Sequence, residues 1–147
     1  EKGDYLLFLA RVSPQKGIDV AIKAARKLNM KLIIAGKTSD TDKEFLDKHF
    51  YPFIDNEQII YLGEVLGEKK KNLLKNALCL IQPNRVIEAF GNSLVEAMAS
   101  GIPVVAYNKG AIGELIKNGK TGYAVDNFSE MISASARNLS ARLSIRR

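Results

Sequence analysis

The sequence predicts an α/β domain built on a doubly wound, six-stranded parallel sheet of Rossmann-like topology. Three observations predict it. Short apolar runs alternate with helix-period segments along the whole chain. Most of those runs are continuously apolar rather than alternating, as parallel strands covered on both faces require. The length of 147 residues, with 46% hydrophobic and 26% charged residues, suits one globular domain with a real core.

The expected elements follow in order. A strand at 5–10 opens the chain. A helix at 17–28 follows, with Ile18, Ala21, Ile22, Ala25 and Leu28 on one face. Strands at 31–35, 58–62 and 78–82 alternate with helices at 42–50, 68–76 and 93–100. Gly101 follows the last of these helices in the usual place of a left-handed cap, and Pro103 starts the next strand, 103–107. A helix at 111–117, a strand at 122–125 and a helix at 129–139 complete the pattern. Right-handed crossovers place helices on both faces. Ligands of such sheets bind at the carboxyl ends of the strands. The loops predicted there are 11–16, 36–42, 63–67, 83–91 and 108–110.

Composition excludes several classes. Cys79 is the single cysteine, so there is no internal disulfide, and its apolar setting reads as a buried small hydrophobe. His49 is the single histidine, which disfavours a histidine triad or a zinc centre. No apolar stretch approaches the ~20 residues that span a bilayer. The net charge of +6 is concentrated at one end: Arg137, Arg142, Arg146 and Arg147 lie within the last eleven residues, which hold no acid. No aromatic stripe interleaves with the basic residues, so a nucleic-acid partner is not expected. These features predict a cytoplasmic domain, with peripheral membrane attachment of the full-length protein compatible with them. The chain begins with Glu1, without a visible signal peptide, and the expectation is that something upstream was removed. Gly36-Lys-Thr38 and Gly119-Lys-Thr121 mimic the end of a phosphate loop, but Lys31 and Glu114 stand where it needs glycine. No Gly-x-Gly-x-x-Gly follows the first strand, which disfavours a dinucleotide oxidoreductase.

The run Glu88-Ala-Phe-Gly-Asn-Ser-Leu-Val-Glu96 carries the chemistry. Gly91 permits close backbone approach, and Asn92 and Ser93 are good residues to open a helix. The N–H groups of that helix end suit a phosphate. Glu88 and Glu96 flank it and are placed to hold neutral hydroxyls. A competing reading is structural, with Ser93 and Glu96 forming a capping box. Arg85 reads equally as a phosphate contact or a solvent-facing charge.

This run resembles the E-x7-E signature of retaining glycosyltransferases with the GT-B fold, similar to glycosyltransferase family four. That large group includes glycogen and sucrose synthases and many mannosyl- and glucosyltransferases. Three further segments match in the same order. Ala10-Arg-Val-Ser-Pro-Gln-Lys-Gly17 is similar to G-R-x-x-x-x-K-G, with Ala10 in place of the first glycine. Gly110-Ala-Ile-Gly-Glu114 and the segment from Asn118 to Asp126 resemble the pattern GG-x-x-E…DG-x-x-G-x-x-V. The resemblance implies that this chain is one half of a GT-B fold, with residues 1–132 forming the nucleotide-sugar (donor) binding domain and 133–147 a truncated or frayed tail.

It further implies catalytic roles for Arg11, Lys16 and Glu88. The two cations stabilise charge that grows on the departing diphosphate, and Glu88 contacts the donor sugar. It places Phe90, Gly91, Asn92, Ser93 and Glu96 on the donor, with Glu96 at the ribose. It implies no metal and no cofactor beyond the nucleotide-diphospho-sugar substrate. Its partner would be an N-terminal acceptor domain of the same parent protein, and without it this chain should catalyse little. Pro83-Asn-Arg-Val-Ile-Glu88 departs from the family's usual approach to the first glutamate, so the sugar is left open, as are base and acceptor. Two alternatives are a nucleotide-sugar binding module that never catalyses, and another enzyme of this fold such as a phosphorylase or an epimerase.

Overall fold

A computed structural model describes residues 3–87 and 92–146, the side chains of 142–146 excepted. Six strands, β1 (Tyr5–Leu9), β2 (Lys31–Ala35), β3 (Ile59–Tyr61), β4 (Cys79–Gln82), β5 (Val104–Tyr107) and β6 (Gly122–Val125), form one sheet in the order β3-β2-β1-β4-β5-β6. Every pairing is parallel. The helices are α1 (Ile18–Leu28), α2 (Lys43–His49), α3 (Gly67–Asn76), α4 (Asn92–Ala99), α5 (Ile112–Leu115) and α6 (Phe128–Arg146). Short 3-10 turns at Asp40–Asp42 and Tyr51–Phe53 flank α2.

The order follows from the handedness of the crossovers. From β1 the chain steps outward through β2 to β3, then returns across the sheet to β4 and steps the other way to β6. A right-handed connection that reverses direction must also change face. Accordingly, Leu6 and Phe8 of β1 pack with Ile18, Ile22 and Ala25 of α1, Leu46 of α2, and Met131 and Ala134 of α6. Leu7 and Leu9 point the other way and pack with Leu74 of α3, Leu94 and Ala97 of α4, and Ile112 of α5. All five β1 side chains are buried, each worth roughly 1.5–3 kcal/mol for a large apolar group.

Sequence and structure agree on all twelve elements, with most ends moving by one or two residues. The larger difference is α6, which starts at Phe128 and continues to Arg146, beyond the expected 129–139. Its start is fixed by two side-chain bonds: Glu130 N–H donates to Asn127 Oδ1 (2.9 Å), and Glu130 Oε2 accepts from the Asp126 N–H (2.7 Å), one residue before the cap. Two segments of chain meet closely where β1 turns into α1. Gly17 caps the helix at φ 76°, and a Cβ there would lie 2.0 Å from the Pro83 carbonyl oxygen beyond β4.

Gly17→Ala therefore meets two penalties, a left-handed backbone and a clash with main chain rather than with a movable side chain. The expected loss is about 2–4 kcal/mol of unfolding free energy, read from urea denaturation of the two proteins. A loss under about 0.5 kcal/mol would contradict this packing.

Candidate functional site

The strand order reverses at β1, which lies between β2 and β4. Chains leaving β1 and β4 run to helices on opposite faces, and this opens a crevice at their carboxyl ends. Described parts of the segments singled out in the sequence flank that crevice from its two sides: 10–17 leaves β1, while 83–87 leaves β4 and Asn92 and Ser93 open α4.

The loop after β1 is built by backbone bonds. Ala10 N–H donates to Ala35 O (3.2 Å) and Val12 N–H to Lys37 O (2.8 Å), which tie it to the chain leaving β2. Gly17 N–H donates to Pro14 O (3.1 Å), and Lys16 N–H reaches the buried Ser13 hydroxyl at 3.3 Å. Arg11 is exposed at the mouth of the crevice and Lys16 is half-buried. Gly36 comes so near that a Cβ on it would stand 1.7 Å from the Ala10 carbonyl oxygen. Tyr61 holds the Gly36 carbonyl with its hydroxyl at 2.8 Å, and burial pushes that phenol's pKa up.

Across the crevice, α4 begins at Asn92, which is exposed, with Ser93 half-buried one residue inside the helix. The Ser93 hydroxyl donates to the Leu9 carbonyl at 2.6 Å, pinning the first turn of α4 to the end of β1. The capping box that the sequence allowed does not form. The helix starts one residue early, Ser93 Oγ is spent on β1, and Glu96 bridges instead to Lys70 on α3, at 2.8 and 3.1 Å to its two oxygens. Glu96 is thus turned toward α3 and partly exposed.

Arg11 and Ser93 line one open cleft of about 350 Å³, together with Gly36, Lys37, Glu64 and Lys70. Lys37 pairs with Glu64 at 3.1 Å. Lys16 does not line this cleft. Glu88, Phe90 and Gly91 lie outside the described residues. Among the described residues no group of three or more His, Cys, Asp or Glu is placed to hold a metal ion, and no helix is long and apolar enough to cross a membrane.

Sequence reasoning missed Lys37, Glu64 and Lys70. Lys37 and Glu64 fall in loops already assigned to the carboxyl edge, and that position was their signal; Lys70, on a polar helix, offered none. It also missed what Arg85 does. Its guanidinium stays exposed at the surface but makes a two-pronged bond to Asp19 at 2.8 and 2.7 Å, so its charge is already matched by a carboxylate. Burial works to raise the Asp19 pKa, but the Arg85 hydrogen bond and charge, with backbone N–H groups, hold it below the ordinary 3.8.

The comparisons with known proteins agree with this geometry. The family model described as "Glycosyl transferases group 1" matches residues 1–141. An uncharacterized glycosyltransferase of Methanocaldococcus jannaschii is 37% identical over 121 residues, 80% of this chain and 30% of that protein. The lipopolysaccharide 1,2-N-acetylglucosaminetransferase of Salmonella typhimurium is 32% identical over 133 residues, 84% of this chain and 35% of that protein. The chain thus spans about a third of the length of these curated relatives. Among solved structures, HepE of Anabaena in complex with UDP superposes with a TM-score of 0.72 at 22% identity, over 97% of this chain and 44% of that one. The C-terminal domain of a glycosyl transferase group 1 family protein (LpcC) from Francisella tularensis gives a TM-score of 0.76 at 21% identity, over 95% and 76%. At these identities the likeness shows the fold: one six-stranded, all-parallel domain of the kind that forms the C-terminal half of GT-B proteins.

The depressed pKa of Asp19 gives a pH prediction with a definite sign. The carboxylate stabilises the fold fully above the unfolded value, and that contribution is lost as pH falls through the lower folded value. Asp19→Asn should be less stable than the parent chain by about 1 kcal/mol from pH 5 to 8, and the gap should close below about pH 3.8. Urea midpoints measured from pH 3 to 8 check this. A gap that widens on acidification would have the wrong sign.

Proposed function

This chain belongs to the glycosyl transferases of group 1, a family of retaining glycosyltransferases, and we propose that it is the domain that binds the nucleotide-diphospho-sugar donor. The observation that carries this reading is the pairing of Arg11 with the start of α4 across the crevice, held by the Ser93–Leu9 bond. Between them lies space for a diphosphate that meets a guanidinium on one side and helix N–H groups on the other. HepE of Anabaena, which shares this fold and was solved in complex with UDP, supports uridine diphosphate as the first probe.

In the reaction, the bond from the anomeric carbon to the donor phosphate breaks. A bond to an acceptor hydroxyl forms on the same face, and the hydroxyl proton is released. Negative charge grows on the leaving diphosphate oxygen. Arg11, Lys16 and the α4 N-terminus stabilise that charge more in the transition state than in the ground state. Glu88 contacts the donor sugar. Glu96, steadied by Lys70, keeps lone pairs for the ribose hydroxyls. Asn92, Ser93, Gly91 and Phe90 complete the donor pocket. The cations do the electrostatic work without a metal ion. Transfer itself needs an acceptor-binding domain from the rest of a parent protein, so this chain alone binds donor and turns over little.

Calorimetric titration with uridine and guanosine diphosphates, with and without magnesium, tests the reading. The parent chain should bind one of them saturably and without need of magnesium. Arg11→Ala should weaken that binding about 10- to 100-fold, and Glu96→Gln should weaken it less than Arg11→Ala does. In a full-length enzyme Arg11→Ala should lower kcat about 100- to 1,000-fold. A folded chain that binds neither nucleotide, or an Arg11→Ala variant that binds as well as its parent, would sink the proposal.

A further inference from the structure

We infer that Arg85 is a positioning residue that locks the cationic loop after β1 to the loop after β4, presetting the gap between the two halves of the anion site. Arg85 Nη1 donates to Asp19 Oδ1 and to the Pro14 carbonyl, both at 2.8 Å, and Nη2 donates to Asp19 Oδ2 at 2.7 Å. The Arg85 backbone N–H donates to the Gln15 carbonyl at 2.9 Å. Four hydrogen bonds from one residue therefore fall on the segment 14–19, which contains Lys16.

Arg85 itself stands three residues before Glu88. A planar guanidinium bound at two points to a carboxylate fixes angle as well as distance, which a lysine ammonium does not. The same junction holds the close approach of Gly17 to the Pro83 carbonyl, so the two strands of chain are held both apart and together.

The alternative is that Arg85 binds the anion directly. Its bonds argue against that: three of its five N–H groups are spent on Asp19 and Pro14, and the Asp19 carboxylate neutralises its charge. Its influence on a ligand passes through the placement of the loop. The inference rests on the donor-site reading for the identity of the ligand and on the hydrogen bonds alone for the clamp.

The test compares Arg85→Ala, Arg85→Lys and Asp19→Asn in this same chain, with two readouts. The first is hydrogen exchange at the Lys16 and Gly17 amides, referenced to the Leu62 amide on the far side of the sheet. The second is affinity for uridine diphosphate. Arg85→Ala and Asp19→Asn should each speed exchange at Lys16 and Gly17 about tenfold beyond any change at Leu62, and weaken the nucleotide about tenfold. Arg85→Lys should restore neither, because it keeps the charge and loses the fork. The inference is overturned if the loop exchanges as before, if it loosens with affinity unchanged, or if Arg85→Lys restores full affinity. If the parent chain fails to bind the nucleotide, the donor reading falls. The exchange at Lys16 and Gly17 then still decides whether the clamp exists.

Discussion

A strand with no exposed side chain and a neighbour on each edge governs this domain. β1 packs Leu6 and Phe8 into one core and Leu7 and Leu9 into the other, and it pairs with β2 and β4. Nothing about it can shift without disturbing both cores, because interiors are packed as tightly as crystals. Its carboxyl end is consequently a fixed point. The Leu9 carbonyl anchors the first turn of α4, Ala10 and Val12 are tied to the chain leaving β2, and Gly17 fits under the Pro83 carbonyl. The crevice is shaped by chain that has little freedom to be elsewhere.

Charge along this edge is arranged unevenly. Lys37, Lys70 and Arg85 are each matched by a carboxylate, from Glu64, Glu96 and Asp19. Arg11 makes no ion pair among the described residues. A paired cation at a partly wet surface contributes little field at a distance, because its partner cancels it. The positive potential of the cleft therefore centres on Arg11 and on the N–H groups that open α4. A diphosphate carries its charge in the same compact form.

The fold was largely legible in the sequence because its signals are local. Short apolar runs, most of them continuous, marked all six strands, and the spacing of Ile18, Ala21, Ile22 and Ala25 marked the buried face of α1. The end of α6 was not legible, since Leu139 and Leu143 are too sparse for a stripe among serines and arginines. Arg11 and Ser93, each picked out by a motif of close neighbours, do line one cleft. The site was not legible where contact joins residues far apart. Arg85 and Asp19 are separated by 66 positions, and Lys70 and Glu96 by 26. No periodicity connects such pairs, and each residue alone reads as an ordinary surface charge. The bond of the Ser93 hydroxyl to Leu9 was hidden for a related reason: sequence shows the neighbours of a helix start, whereas Leu9 is 84 residues upstream.

Cys79 sits wholly buried in β4, next to the central strand, and the chain has no second thiol and no tryptophan. A thiol reagent can reach that sulfur only when the sheet opens. The rate of modification then measures how often the core parts, in the same way as the slowest-exchanging amides do. The chain thus carries its own clock for global opening, set in the strand whose exit loop bears Arg85. Ligands that tighten the crevice should slow that clock by mass action alone, with no label or engineered probe.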